Sequence, residues 1–272
     1  MKQSITYINR YYVHNRRKYA MDELLIPKTI HYIWFGHGEK SDLIKRCIHS
    51  TIEKMDGWEI KEWTEDNYNV GACDYCKEAY QKKKYAFASD YARFDILYRY
   101  GGIYLDTDVE LIKRIPDEML KSVGFTGIES NNKIAPGLVF ACQPGNPIVK
   151  EIIEMYKIDH FILPNGSMNT QTVVNRVTEI FFKHGFEMNG KEQIVDGFHV
   201  YPVEYFCAYD FVTNQFTVTD ETVSIHHYTA TWTDGKSQFK RGLQNVLRKL
   251  LGVKNYKKLL RVKRKLFGVN GE

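Results

Sequence analysis

The chain has 272 residues, 43% apolar and 14% aromatic, with 38 Lys and Arg against 33 Asp and Glu. That content supports a folded core and excludes an intrinsically disordered class. No stretch reaches the ~20 apolar residues of a membrane-spanning helix, and residues 1–18 lack the apolar core of a secretory signal, so a cytoplasmic chain is expected.

In chain order, residues 1–25 read as a Tyr-rich basic segment. Thr29 to Phe35 is an apolar strand closed by Gly36-His37-Gly38. The pattern then predicts a helix over Asp42–Met55, a strand over Trp58–Trp63 and a helix over Asp74–Lys84. Cys73 and Cys76 form one C-x-x-C, with no second pair to complete a zinc site. Five scattered cysteines fit ordinary thiols in a reducing compartment. Further strands are expected at Phe125–Ile128 and Leu138–Cys142, and helices at Ile148–Tyr156, after a Pro144-Gly145-Asn146-Pro147 turn, and at Thr170–Lys183. A strand-and-loop region opens at Val200-Tyr201-Pro202. Strands alternating with helices imply an α/β fold with a mainly parallel sheet.

The segment from Ala88 to Asp108 carries the most chemistry. Ser89 reads as an N-cap for a helix running to Tyr100, with Asp90 and Arg93 three apart on one face. Gly101 and Gly102 can end that helix in the left-handed region. Ile103 to Leu105 is a short apolar strand. Continued alternation beyond it points Asp106 and Asp108 the same way. Two carboxylates on one face repel unless a cation lies between them, and hard oxygen ligands suit Mg²⁺ or Mn²⁺. Such an ion can neutralise the two phosphates of a departing nucleotide diphosphate. Asp-X-Asp alone is a weak signal, because turns are rich in Asp; the ordered combination is stronger.

That block, together with Ile26-Pro27-Lys28-Thr29-Ile30-His31-Tyr32-Ile33-Trp34-Phe35-Gly36 upstream and Ser224-Ile225-His226-His227-Tyr228-Thr229-Ala230-Thr231-Trp232 downstream, resembles the DXD-motif sugar transferases of glycosyltransferase family 32. It is distantly similar to the catalytic domain of the large clostridial glucosylating toxins. The resemblance implies a single GT-A-type nucleotide-sugar-binding domain over residues 26–232 and a metal-dependent, retaining transfer in surface polysaccharide synthesis of the capsular type. The donor would be a nucleotide-sugar, UDP-sugar favoured, and the acceptor a saccharide or lipid-linked saccharide. Ile33 and Trp34 would form the nucleotide pocket, with Trp34 stacking on the base. Asp90 and Arg93 would contact ribose and donor sugar. Asp106 would touch ribose or metal, Asp108 would be the direct metal ligand, and Thr231 and Trp232 would close over the phosphates. His226 and His227, being adjacent, face opposite sides, so only one can be the third ligand; the resemblance supports a histidine there without choosing between them, and the reading leans toward His227 with His226 kept open. Asn169, Gln171 and Asp210 are acceptor-side candidates by polarity and loop position alone. The alternatives are a nucleotide-binding regulatory protein without turnover and a protein-modifying glycosyltransferase.

Charge is uneven. Residues 236–265 hold 12 Lys and Arg and no acidic residue, leaving 26 basic against 33 acidic residues elsewhere. Apolar residues recur near helical spacing there, so residues 233–272 read as a basic amphipathic helical tail. It is expected to meet an anionic membrane surface, making the protein peripheral on the inner face of the cell membrane, or else to pack on the body. A basic patch alone is no argument for nucleic acid, and no nucleic-acid partner is expected.

Overall fold

The computed structural model describes residues 24–210 and 215–229. Most of the expected N-terminal segment, the basic tail, Thr231 and Trp232 lie outside them. The elements run β1 (Thr29–Ile33), α1 (Asp42–Lys54), β2 (Glu59–Trp63), α2 (Asp74–Gln81), α3 (Tyr85–Tyr100), β3 (Gly102–Tyr104) and β4 (Val109–Leu111), then a 3-10 helix at Asp117–Lys121. They continue with β5 (Gly124–Gly127), β6 (Phe140–Cys142), α4 (Pro147–Lys157), α5 (Val173–Lys183), β7 (Gln193–Val195), β8 (Phe198–Tyr201), α6 (Val203–Phe206), β9 (Tyr209–Asp210), β10 (Gln215–Phe216) and β11 (Ser224–His226).

The central sheet has seven strands in the order β2-β1-β3-β6-β5-β8-β7. β6 pairs antiparallel with both β3 and β5, and β7 pairs antiparallel with β8, while β2–β1, β1–β3 and β5–β8 are parallel. Five strands therefore share one direction and two are reversed, so the fold is a mixed α/β sandwich whose sheet is mostly parallel. Two antiparallel ribbons, β4–β11 and β9–β10, lie apart from the sheet.

Strand alternation builds two cores. Tyr104, Phe140, Cys142, Phe198 and Val200 face the core that includes side chains of α2, α3, α4 and α5. Ile103, Phe125, Ala141 and Tyr201 face the other core, with Met55, Val109, Leu111 and Phe206. Helix α3 lies within the first core, and 10 of its 16 residues are buried. It is enclosed around most of its circumference, and Asp90, Arg93 and Asp95 are buried along with its apolar residues. Burying side chains such as Phe94 and Leu97 there contributes about 1.5–3 kcal/mol each.

Local signals set the ends of several elements. Ser41 caps α1 by accepting from the Ile44 N–H, and Asn146 caps α4 by accepting from Ile148 and Val149 with Pro147 in the first turn; both are preferred arrangements. The C-x-x-C is a cap too: the Cys73 thiol accepts from the Cys76 N–H at the start of α2. Ser89 is not the cap expected of it. Helix α3 starts at Tyr85, and the Ser89 hydroxyl donates to the Ala86 carbonyl inside the helix.

His31 locks the sheet to the end of α3. The Trp63 indole donates to its Nδ1 at 3.1 Å, so Nε2 carries the proton and donates to the Gly101 carbonyl at 3.0 Å. Burial lowers the imidazole pKa to about 4 and keeps it neutral. Gly102 is required beside it. Its φ is +89, and a Cβ would stand 2.6 Å from the Thr29 carbonyl oxygen.

Candidate active site

Strand β3 ends at Tyr104, paired with His31 of the parallel strand β1, which runs on to Ile33. That carboxyl edge is where open α/β sheets place ligands. Asp106 and Asp108 are not on the strand. β3 stops at Tyr104, and the chain turns so that the Val109 N–H donates to the Asp106 carbonyl at 3.1 Å. The turn, rather than strand alternation, brings the two carboxylates together. The returning strand β11 adds His226. Ligand atoms of Asp106, Asp108 and His226 lie within 4.8 Å of one another.

Each carboxylate is held differently. Asp106 Oδ1 accepts from the Tyr104 hydroxyl at 2.8 Å and lies 3.3 Å from Arg93 Nη1. Its Oδ2 rests on Gly137, where a Cβ would come within 2.1 Å. Asp108 Oδ1 accepts from His226 Nε2 at 2.9 Å, and Oδ2 accepts from both the backbone N–H and the hydroxyl of Thr229, at 2.9 and 2.8 Å. Burial works to raise the Asp108 carboxyl, but His226 and the two Thr229 donors outweigh it and hold it well below the ordinary carboxylate range. Burial likewise opposes charge on His226, yet Asp108, Asp106 and Glu129 together raise its pKa. Tyr228 adopts φ +48 between His227 and Thr229, a left-handed conformation uncommon for a bulky residue. It turns the chain so that Thr229 reaches Asp108.

Arg93 links these acids to α3. Its guanidinium is almost fully buried and bonds Asp90 Oδ1 at 2.7 Å and the Ser89 carbonyl at 3.2 Å, with its centre 4.7 Å above the Tyr104 ring. Burial pushes the Asp90 carboxyl up to about 7, against the pull of Arg93 and Arg176. Arg176 is buried behind the pair over the rings of Tyr75 and Tyr156, with Asp159 Oδ2 2.6 Å away.

The donor set fits a divalent cation. Two carboxylates and an imidazole converge, and the His226 N–H now sits between the acids where positive charge is needed. A metal there would replace that proton. Of the two histidines, it is His226 that reaches the acids. The leaning toward His227 is reversed by the geometry, because the two imidazoles do point to opposite sides and His227 Nε2 donates to Glu110 at 2.6 Å instead.

Asp90, Arg93, Asp106, Asp108 and His226 are thus brought together. Ile33 packs its side chain into the core, leaving only backbone for a ligand. Trp34 follows the end of β1 half-exposed, its indole donating to the Gly38 carbonyl at 2.7 Å and its ring 5.4 Å from the Lys40 ammonium. Asn169 binds the Asp159 carboxylate, and the Gln171 carbonyl accepts from Arg176, so both serve the loop before α5. Asp210 pairs through its backbone with Gln215. Sequence reasoning missed Tyr104, Gly137 and Thr229. A tyrosine two residues before the first Asp was the local signal available for Tyr104; Gly137 and Thr229 arrive by long chain reversals.

Residues 41–126 match the family model described as the glycosyltransferase sugar-binding region containing a DXD motif. The match places the sugar-binding DXD pattern of glycosyltransferases within residues 41–126 of this chain. The chain is similar to the subversion of eukaryotic traffic protein A of Legionella pneumophila (25% identity, covering 50% of this chain and 26% of that protein). It is similar as well to an uncharacterized glycosyltransferase of Acanthamoeba polyphaga mimivirus (30% identity, covering 53% and 59%). Inositol phosphoceramide mannosyltransferase 3 of Schizosaccharomyces pombe matches at 32% identity over 36% of this chain and 28% of its own. The chain spans between about a quarter and three fifths of the length of these relatives. Among solved structures, the PaToxG glycosyltransferase has a TM-score of 0.42 at 17% identity, over 67% of this chain and 79% of that one.

Proposed function

We propose that this chain is a glycosyltransferase, a metal-dependent, retaining enzyme that moves a sugar from a nucleotide-sugar, UDP-sugar favoured, to a saccharide or lipid-linked saccharide acceptor. The observation that carries the reading is the convergence of Asp106, Asp108 and His226 at the carboxyl edge of β1 and β3, with the buried Arg93 beside them. These three side chains would hold Mn²⁺ or Mg²⁺. The ion supplies Lewis-acid stabilisation to the leaving diphosphate.

The chain's own groups do the rest. Arg93, fixed by Asp90 and Ser89, keeps a positive charge next to Asp106 in a water-poor setting, where fixed charge stabilises a developing anion most. Tyr104 and Gly137 fix the Asp106 carboxylate, and Thr229 fixes Asp108. Trp34, at the end of the adjacent strand, offers the face on which a base would stack. Similarity to a protein named for mannosyl transfer to inositol phosphoceramide supports a lipid-linked acceptor. The basic residues 236–265 support contact with an anionic membrane surface, and with it we propose a cytoplasmic peripheral location and a role in surface polysaccharide synthesis.

A thermal-shift screen of the full chain against UDP-, GDP- and other nucleotide-sugars with and without Mn²⁺ tests the reading, because a ligand that binds only the folded state raises its melting temperature. One nucleotide-sugar should raise Tm with the ion and much less without it, and should then be consumed when an acceptor saccharide is added. No shift with any nucleotide-sugar, or equal shifts in Asp108→Asn and wild type, would overturn the proposal.

A further inference from the structure

The two adjacent histidines serve different neighbourhoods. On the far side from Asp106 and Asp108, His227 meets Glu110 of β4 and Cys47 of α1. Ligand atoms of the three lie within 4.8 Å of one another. Four of the five cysteines have thiols engaged in hydrogen bonds: Cys73 with the Cys76 N–H, Cys76 with the Ala88 carbonyl, Cys142 with the Leu97 carbonyl, and Cys207 with the Tyr209 carbonyl and the Tyr228 hydroxyl. Among the described residues, the Cys47 thiol has no such partner. It is fully buried, and Glu110 and His227 are half-buried, so the pair forms the solvent side of the cluster and the sulfur its floor. Arg46 approaches Glu110 at 3.8 Å from a largely exposed position, from which it can swing away.

We propose that Cys47, Glu110 and His227 form a second cation site, suited to a borderline-soft ion of the zinc class and separate from the carboxylate-rich Asp106–Asp108–His226 group. A sulfur, an imidazole nitrogen and a carboxylate oxygen are the usual tetrahedral ligands of zinc, at about 2.0–2.3 Å, with a fourth position left for water. The same trio is a poor match for Mg²⁺, which prefers oxygen. Binding balances charge: Cys47 releases its thiol proton to solvent, His227 shifts to the neutral tautomer protonated at Nδ1 and coordinates through the freed Nε2 lone pair, and thiolate plus carboxylate neutralise the dication. The ion then ties α1 to the β4–β11 ribbon, which also delivers His226 to the other group. Its role is to brace that strand, so it positions the active site without touching substrate.

Cobalt titration of the chelator-treated full chain tests this, since thiolate-bound Co²⁺ gives a ligand-to-metal charge-transfer absorption that carboxylate-bound Co²⁺ does not. The band should appear in the wild type and in Asp108→Asn, and vanish in Cys47→Ser and His227→Gln. Zinc alone should raise the Tm of the wild type by several degrees and leave Cys47→Ser unmoved. His227→Gln keeps the thiol in place and supplies the answer if Cys47→Ser does not fold. Absence of the band in the wild type, or its persistence in either variant, would overturn the site. The Asp108→Asn arm separates this outcome from failure of the transferase reading.

Discussion

Asp108 is held by more donors than any other acid in the site, and its replacement is the most informative single change. Asp108→Asn keeps the shape but loses the anion that His226 and Thr229 satisfy. We expect transfer activity to fall on the order of 100-fold or more with little loss of fold, since positioned metal-site groups are commonly worth 10–100-fold each; steady-state rates with varied Mn²⁺ check this. Gly137→Ala would push a methyl group against Asp106 Oδ2, 2.1 Å from its ideal position. Overpacking of that kind costs about 1–3 kcal/mol, and here it should also weaken nucleotide-sugar binding, measurable by calorimetry beside a denaturant melt. Arg93→Ala removes the charge that opposes the burial effect on Asp90, so Asp90 takes up a proton and the pair's charge-assisted hydrogen bond is lost; denaturant melts should show a loss of about 1–3 kcal/mol, and Asp90→Asn should add little further in the double variant. The Asp90–Arg93 pair was legible in the sequence because three-residue spacing on a helix is a local rule. Gly137 and Thr229 were not, because nothing near them in the chain says which side chain they will meet.

At the scale of elements, the end of α3 and the start of β3 were readable from Gly101-Gly102. The start of α3 was not, because Ser89 donates to Ala86 within the helix instead of capping it. The short strands β6 and β7 carry no mark of their direction, so the antiparallel pairings within the sheet were invisible in composition and alternation. The His31 junction gives a pH signature. Its pKa is about 4 folded against 6.5 in the unfolded chain, so the unfolded state binds more protons between these values. The neutral imidazole's contribution is therefore present above pH 6.5 and lost as pH falls toward 4, on the order of 3 kcal/mol in all. Denaturant melts from pH 7 to pH 4 should show wild-type stability falling with acid, and a shallower slope in His31→Gln.

For the whole molecule, no helix among the described residues is long and apolar enough to cross a membrane. The proposed membrane contact is assigned to the basic stretch 236–265. Removing residues 236–272 should abolish sedimentation with anionic vesicles while leaving neutral vesicles unbound in both forms; equal sedimentation of the two chains would reject it. The alternating α/β order and the DXD block could be read from the chain because they are written in contiguous residues. The choice between His226 and His227 needed the β4–β11 register, which sets which imidazole meets Asp108 and which meets Glu110.

Uptake of Mn²⁺ by the full chain, followed through the spin-resonance signal of the free ion with and without a nucleoside diphosphate, bears most directly on the cation between Asp106, Asp108 and His226. The wild type and His227→Gln should withdraw one equivalent of ion, more tightly when the diphosphate is present, and Asp108→Asn should withdraw almost none. Equal uptake by Asp108→Asn and the wild type would contradict the metal-centred site.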